Sequence, residues 1–508
     1  MYTASGDKFL TPKHIGLAST LHQATRSKEL VNMFHQAGHV MSYREVIHLD
    51  TALAKKTLET MEDDGAVVPL NLVKGRFVHF SADNVDINEY TLDGKGTFHA
   101  TQVAAWQRGP PEGDLLEGID LHSKSETLNI PQAMTDIIGA PKKGITERPF
   151  SSVIAADCFT QSSEQCPAAQ KAQATDMAFL MSRTSQKPMP SWTLYNEKAS
   201  TVNPEKTTVG YLPIIQAPAS DLDTLNTVVK RVLHVSKSMK QQHVILTVDE
   251  ALYPKLLELK WSVEEYKDVL IPCLGGLHIA MNFLGVIGKH MVDSGPSELW
   301  VKCDLLGANA AQHVMAGKGY ARAMKTHKLT LQALWQLLLP QLYAYLDGVD
   351  VTLRAVLSDL CQSTDADDIA QMIDTLTTDR FQQPMKEFAA SLALDDPNAA
   401  FWWDYMTMVS ILLFFTRAQR DGLWDLHLYA FKRMLPFFFR YDHINYARWG
   451  TVYLTEMSAL PPEILLEFQK GNFVVKRSDR RRFQRIKVQS GSILQEKRVE
   501  VDGPCHTI

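Results

Sequence analysis

Three carboxylates and a histidine stand where they could share metal ions and act on a phosphodiester. Asp83 and Asp86 lie in FSADNVDINEYTLDGKGTFH, at the end of a β-like run; Asp249 ends the apolar run His243–Val248, ahead of Glu250; and His278 follows Gly275-Gly276. Carboxylates on adjacent central strands can bridge two divalent cations about 4 Å apart, which clamp the attacking and leaving oxygens of an in-line displacement. Mg²⁺ suits such a site, because it takes one or two carboxylates and fills its octahedron with water and substrate phosphate. Asp83, Asp86 and Asp249 are therefore the candidate metal ligands. Asp83, Asp249 and His278 are the candidate catalytic residues, with His278 as a ligand or a contact to the scissile phosphate. A further acid could come from Glu298, Asp304, Asp442 or Glu456. Each candidate also has a structural reading. Asx side chains cap turns at strand ends, Asp249-Glu250 can cap the following helix, and a histidine beside two glycines can simply start one.

Other chemistries find less support. Gly94–Gly96 and Gly317–Gly319 match neither the Walker nor the dinucleotide pattern, so no nucleotide cofactor is expected. Cys158, Cys166, Cys273, Cys303, Cys361 and Cys505 are scattered without a CxxC pair, which argues against zinc and for reduced thiols. His35 and His39 stand four apart without a third ligand. The aromatic content of Phe401–Phe439 falls at helical spacing and reads as core rather than a base-stacking platform.

These residues need a frame to hold them. Residues 12–62 read as helical. Ser42 and Glu45 have capping-box spacing, and the break at Ala37-Gly38-His39 makes a helical hairpin over 1–64, with a helix-turn-helix as the rival. From residue 65 the period shortens. Val67–Leu72, Phe77–Ser81 and Thr97–Trp106 read as strands, with Asp93–Gly96 as the turn between the last two. Residues 107–190 form an irregular insertion with a short helix near Pro131–Ile138. Regular alternation follows: strand Thr207–Ile215, helix Leu222–Lys240, strand His243–Val248, helix Tyr253–Glu265, strand Asp268–Cys273, helix Ile279–Val292. From Phe77 to Val292 the resulting β-β-β-α-β-α-β-α order is that of a ribonuclease-H-like fold, so an α/β, ribonuclease-H-like mixed-sheet core is expected over 65–300. That fold carries one Asp on its first strand, an acid after its fourth, and an acid or His on a later helix. A helical bundle is expected over 301–465 and a basic, disordered tail over 466–508.

Size and charge set outer limits. The chain has 508 residues, enough for two or three cored domains, with an ordinary globular share of hydrophobic (45%) and charged (21%) residues. With a net charge of −5, the chain as a whole is no obvious polyanion binder. The run Lys470–Lys487 carries eight basic residues against Asp479 alone, which could contact phosphate, act as a nuclear-import signal or be a solvated tail. No signal peptide is visible in MYTASGDKFLTPKHIG, and the longest apolar run, Met406–Phe415, is too short to span a membrane. An intracellular address is expected, the nucleus ahead of the cytoplasm.

The segments KHIGLAS, GHVMSY, ADNVDINEYTLDGKGTFH, PSWTLYN, YLPIIQAPASDLDTLNTV, ILTVDEALYPK, LGGLHIAMNFLGVIGK and DHINYARWGTVYLTEM occur in this order between Lys13 and Phe483. In this it resembles a family of uncharacterised, mobile-element-associated proteins expanded in corals, lancelets, molluscs and fish. The resemblance implies a mobile-element origin. It departs after Asn472–Val475, where relatives continue into an Asp-Gln-Ala-His-Glu-Gln-Asn-Asn motif and this chain runs through RRRFQRIKVQSG, so a C-terminally truncated or inactive copy is expected. Two functions compete. One is a transposase-like or nuclease-like core for Mg²⁺-dependent chemistry on DNA, with the helical region holding DNA or a partner subunit. The other is a non-enzymatic interaction or scaffold protein whose acids are caps and turn formers. A small-molecule α/β enzyme ranks third, since no phosphate loop or nucleophile motif supports one. Partners would be DNA, other proteins or a second copy, without membrane.

Overall fold

A computed structural model describes residues 11–25, 27–63, 65–88, 97–110, 128–141, 166–183, 185, 188–199 and 205–475. The chain divides into an α/β unit, built from the N-terminal region and residues 205–274, and a helical unit, built mainly from residues 275–474 with 166–199.

The α/β unit opens with helices α1 (Pro12–Thr25), α2 (Lys28–Gln36) and α3 (Tyr43–Leu58), one more than the expected hairpin. Ser27 accepts a hydrogen bond from Leu30 N, which separates α1 from α2. The capping box at Ser42 and Glu45 is present and opens α3. Ala18, Val31, Val40, Met41, Val46 and Leu49 close into a small core of their own.

One mixed sheet follows, in the order β3-β2-β1-β4-β5. Strand β1 (His79–Asn88) pairs antiparallel with β2 (Thr97–Arg108), from His79 opposite Trp106 to Asn88 opposite Thr97. Strand β3 (Thr207–Tyr211) continues antiparallel beyond β2. Strands β4 (Val244–Val248) and β5 (Leu270–Leu274) add parallel on the other side of β1. The short helix α4 (Gln132–Thr135) lies in the expected place. Helices α7 (Leu222–Ser238) and α8 (Tyr253–Ser262) are the crossovers that parallel pairing requires. The buried Arg231 of α7 donates through Nη2 to the carbonyls of Ala133, Met134 and Asp136, which ties the α4 segment to α7.

Two expectations change here. Val67–Leu72 is no ladder strand. Val67 makes one isolated bridge with Met61, and Pro69, which has no N–H to donate, runs against Gly210 of β3. Asn71 Nδ2 donates to Val209 O at 2.6 Å and so satisfies a carbonyl on the sheet edge. The first strand, for its part, runs to Asn88 instead of Ser81, because the hairpin overhangs the end of β4. The turn Asp93–Gly96 lies outside the described residues.

In the helical unit, α5 (Pro167–Ser182) and α6 (Trp192–Ala199) join α9 (Gly276–His290), α10 (Pro296–Lys302), α11 (Ala308–Met315), α12 (Tyr320–Val349), α13 (Val351–Leu360), α14 (Ala366–Thr377), α15 (Asp379–Asp395), α16 (Pro397–Asp421), α17 (Trp424–Arg440), α18 (Ile444–Ser458) and α19 (Pro462–Gln469). Helix α5 falls within the segment expected to be irregular. Its residues are buried almost all the way round, so it carries no amphipathic period to read. Helix α16 exceeds the sequence expectation in the other direction. By length and composition it could cross a membrane, yet Tyr405, Met408, Leu412 and Phe415 are buried in the bundle, which makes it a core helix. The expected tail also begins later than 466: Phe468 and Val474 are buried, and Phe473 packs edge-on against Trp424 at 4.9 Å between ring centroids.

Close backbone approach explains part of the glycine-rich LGGLHIAMNFLGVIGK segment. A Cβ on Gly288 would lie 1.8 Å from Met315 O, and one on Gly317 would lie 2.6 Å from Gly285 N. Gly288→Ala is therefore expected to separate α9 from the end of α11, at a cost of about 1–3 kcal/mol. The check is thermal unfolding by circular dichroism, where an unchanged Tm would contradict the tight contact.

Candidate functional site

The central strands bring Asp83 and Asp249 to one end of the sheet. Ser81 pairs with Thr247 across β1 and β4, and Asp83 and Asp249 each lie two residues further along. Side chains alternate along a strand, so His79, Ser81 and Asp83 share one face of β1, while the buried Phe80 and Ala82 point to the other. Thr247 lies on the corresponding face of β4, and Asp249 follows directly after the last residue of that strand, Val248. The two acids therefore lie at the same end of the sheet, Asp83 on β1 and Asp249 just beyond β4.

The two acids differ in setting. Asp83 is exposed, stands opposite Gln102 of β2, and accepts from Asn84 N at 2.8 Å through Oδ1. Asp249 is half-buried, and its Oδ1 accepts from Leu252 N at 2.9 Å, the capping bond that turns the chain into α8. Its Oδ2 has no protein partner among the described residues. Asn84 Oδ1 accepts from Ala219 N at 2.8 Å and fastens the loop ahead of α7 to β1. The structural readings of Asp249 and Asn84 are thus realised, and that of Asp249 leaves one oxygen over. Asp86 lies within β1 with its backbone opposite His99; its side chain is outside the described residues.

Below the acids, two residues absent from the sequence-based candidates complete the same face. His79, 1% exposed, contacts Thr247 Oγ1 through Nε2 at 2.7 Å and stacks on Trp106 at 4.8 Å between ring centroids. The signal for His79 was its place two and four residues before Ser81 and Asp83, on the same strand face. A purely polar-cluster search passes over it because apolar residues flank it.

His278 falls in the other unit, exposed on the first turn of α9, where its carbonyl accepts from Asn282 Nδ2. Glu298, Asp304, Asp442 and Glu456 belong to the helical unit as well. Among the described residues, no three His, Cys, Asp or Glu side chains converge into a metal-holding group. By donor type, two carboxylates completed by water and substrate oxygens are a set that Mg²⁺ accepts. The four described cysteines form no disulfide.

The Gly275-Gly276 pair has a structural cause. A Cβ on Gly276 would lie 2.7 Å from Gln419 Oε1. Gln419 Nε2 also contacts His427 Nδ1 at 2.9 Å, and His427 Nε2 contacts Tyr453 OH at 3.1 Å. Trp424 stacks on the His427 ring at 5.2 Å. Burial pushes the His427 ring down to about 3, and burial likewise pushes His327, bonded to Tyr405 OH at 2.9 Å, down to about 4. Both rings are neutral near pH 7. Both ring nitrogens of His427 are paired within the bundle, whereas His327 is paired through Nδ1 and its Nε2 is buried without a hydrogen-bond partner.

Fold and site together define a mixed α/β protein with an acid pair at the end of its central parallel strands, accompanied by a helical unit. Residues 191–489, more than half of the chain, match the family described as a domain of unknown function, DUF8702, and the chain belongs to that family. The matched region includes Asp249 and His278 and begins after Asp83. No curated protein and no solved structure matches the chain.

Proposed function

We propose that this protein is a mobile-element-derived, ribonuclease-H-like nuclease or transposase, with Asp83 and Asp249 as its metal-binding acids. The observation that carries the reading is the sheet order 3-2-1-4-5, antiparallel through β1–β3 and parallel through β1, β4 and β5, with one acid on β1 and one directly after β4. That order and those two positions are the ones ribonuclease-H-like enzymes use. Asp83 and the unpartnered Oδ2 of Asp249 would hold Mg²⁺, with Asp86 beside them. The ion, when bound, would polarise the phosphodiester and help generate the nucleophile. The buried His79–Thr247 contact holds the floor of the site in register. His278 would act only if the helical unit presents it to DNA. A nuclear address goes with a DNA substrate.

Mg²⁺- or Mn²⁺-dependent nicking of supercoiled DNA tests this reading. Asp83→Ala and Asp249→Ala are each expected to lower the rate at least about a hundredfold, because each removes a carboxylate from a shared ion. Equal activity in wild type and both variants would remove the catalytic claim. The capping bond made by Asp249 and the loop-fastening bond made by Asn84 favour the second reading, a scaffold of the same origin, and that reading would then stand.

A further inference from the structure

Helix α12 is apolar on two sides, and the packing of the helical unit covers one of them. Leu331, Trp335, Leu339, Leu342 and Leu346 are buried. On the opposite side Leu329, Ala333, Leu337, Pro340, Ala344 and Gly348 are exposed and recur at helical spacing. Leu337 is 72% exposed and Leu329 40%, and a Cβ on Gly348 would meet nothing within 4 Å. Residues 329–346 contain no charge at all, and among the exposed ones only Gln336 and Gln341 are polar. The outer side of a surface helix is normally charged, whereas a helix with apolar faces on both sides is covered on both.

The charges that remain on this face lie at its two ends and have opposite signs. Arg322 and Asp347 stand 25 positions apart. That is about seven helical turns, so the two share a face and lie about 37 Å from each other. Both are exposed, and neither has an ion-pair partner among the described residues. Such a face is complementary to itself turned end for end. A two-fold axis between Ala333 and Gln336 lays the helix antiparallel on its copy and sets Arg322 opposite the partner subunit's Asp347 at both ends. The same axis brings Leu329 against the partner subunit's Pro340, and the small Ala333 and Ala344 allow the backbones to approach. The helix dipoles then oppose each other, which is the favourable arrangement. A uniformly charged partner, such as a nucleic acid or an anionic membrane, would match one end of the face and be repelled at the other.

We propose that this face of α12 is a homodimer interface, with the α12 of a second copy packed antiparallel across it. Leu329 and Leu337 supply the apolar centre. Arg322 and Asp347 fix the direction and register, since only the antiparallel pairing satisfies both.

Sedimentation velocity of the full chain over a concentration series tests it. Wild type is expected to dimerise with a Kd of about 10 μM, as suits an interface at the small end of the specific range. Leu337→Asp should weaken the dimer at least about a hundredfold, because it buries two unpaired charges at the centre. Arg322→Glu and Asp347→Arg should each weaken it about tenfold, since each sets like charges opposite one another twice. Combining Arg322→Glu with Asp347→Arg restores opposite signs and should return the Kd to near the wild-type value. Lys386→Ala, at an exposed lysine elsewhere in the unit, should match wild type. Circular dichroism establishes that each variant is folded. A wild-type chain that stays monomeric, whether or not it adsorbs to phosphatidylcholine vesicles through Leu337, would overturn the proposal. So would a dimer indifferent to Leu337→Asp, or a double charge variant no tighter than the single ones. Nicking activity plays no part in these readouts, so the interface and the nuclease reading stand or fall separately.

Discussion

Acidification from pH 7 to pH 5 is expected to remove about 4 kcal/mol of stability through two buried histidines of the helical unit. His327 and His427 are buried with folded values of about 4 and about 3, against an ordinary 6.5. In both cases desolvation of the charged ring is the cause. The sign follows from proton uptake. Above about pH 6.5 the ring is neutral in both states and nothing is lost. Below it the unfolded chain binds a proton that the folded chain refuses, and the loss grows until the folded value is reached. Each histidine contributes about 1.4 kcal/mol per pH unit over the unit and a half down to pH 5. His290 and His443, also lowered by burial, add to the loss. Asp176 and Asp421, raised by burial, oppose it, since their folded carboxyls take up protons more readily than the unfolded ones. Urea unfolding of the full chain at several pH values measures the sum. His427→Gln, which keeps a polar side chain that does not titrate, should remove about 2 kcal/mol of the pH 7 to pH 5 loss. A variant with the wild-type pH dependence would refute the assignment.

Arg417→Ala should cost about 3–5 kcal/mol, because it strands a buried charge. Arg417 of α16 pairs with Asp176 of α5, donates through Nη1 to Ala172 O at 2.7 Å, and donates through Nη2 to Asn196 Oδ1 at 2.8 Å. One guanidinium thus joins three helices. Asp176 Oδ2 is buried without a hydrogen-bond partner, so Arg417 is the main compensation for that carboxylate. Burial already raises the Asp176 carboxyl, and Arg417 opposes the rise. In the variant the carboxyl should rise further. The defect is then largest at neutral pH and shrinks as the pH falls and Asp176 is protonated, the reverse of the histidine effect. Replacing both partners, Arg417→Met with Asp176→Leu, should recover most of the loss, since an apolar pair of similar volume fills the space without a desolvated charge. A double variant as unstable as Arg417→Ala would show that packing, and not the charge, sets the cost.

Much of the frame was legible because its signals are local. Leu222–Lys240 and Val351–Cys361 showed a helical period, Ser42 and Glu45 showed their capping spacing, and His243–Val248 showed the continuous apolar run of a strand covered on both faces. The observed elements fall within a few residues of those readings. Where the signal was not local, the sequence misled. Helix α5 is surrounded by other helices and shows no polar face, and Val67–Leu72 looked like a strand although Pro69 bars it from a ladder.

For the candidate site, the residue types at Asp83 and Asp249 and the chemistry they could perform could be read from the sequence alone. The sequence also determined that alternating strands and helices would form a mixed sheet, because periodicity and turn chemistry depend on near neighbours. Only the tertiary structure decided that β1 lies beside β4, that Asp83 and Asp249 lie at the same end of the sheet, and that His79 contacts Thr247 below them. It also assigned His278 to a different unit. The β1–β4 pairing and the His79–Thr247 contact join residues more than a hundred positions apart, and no local pattern encodes such contacts.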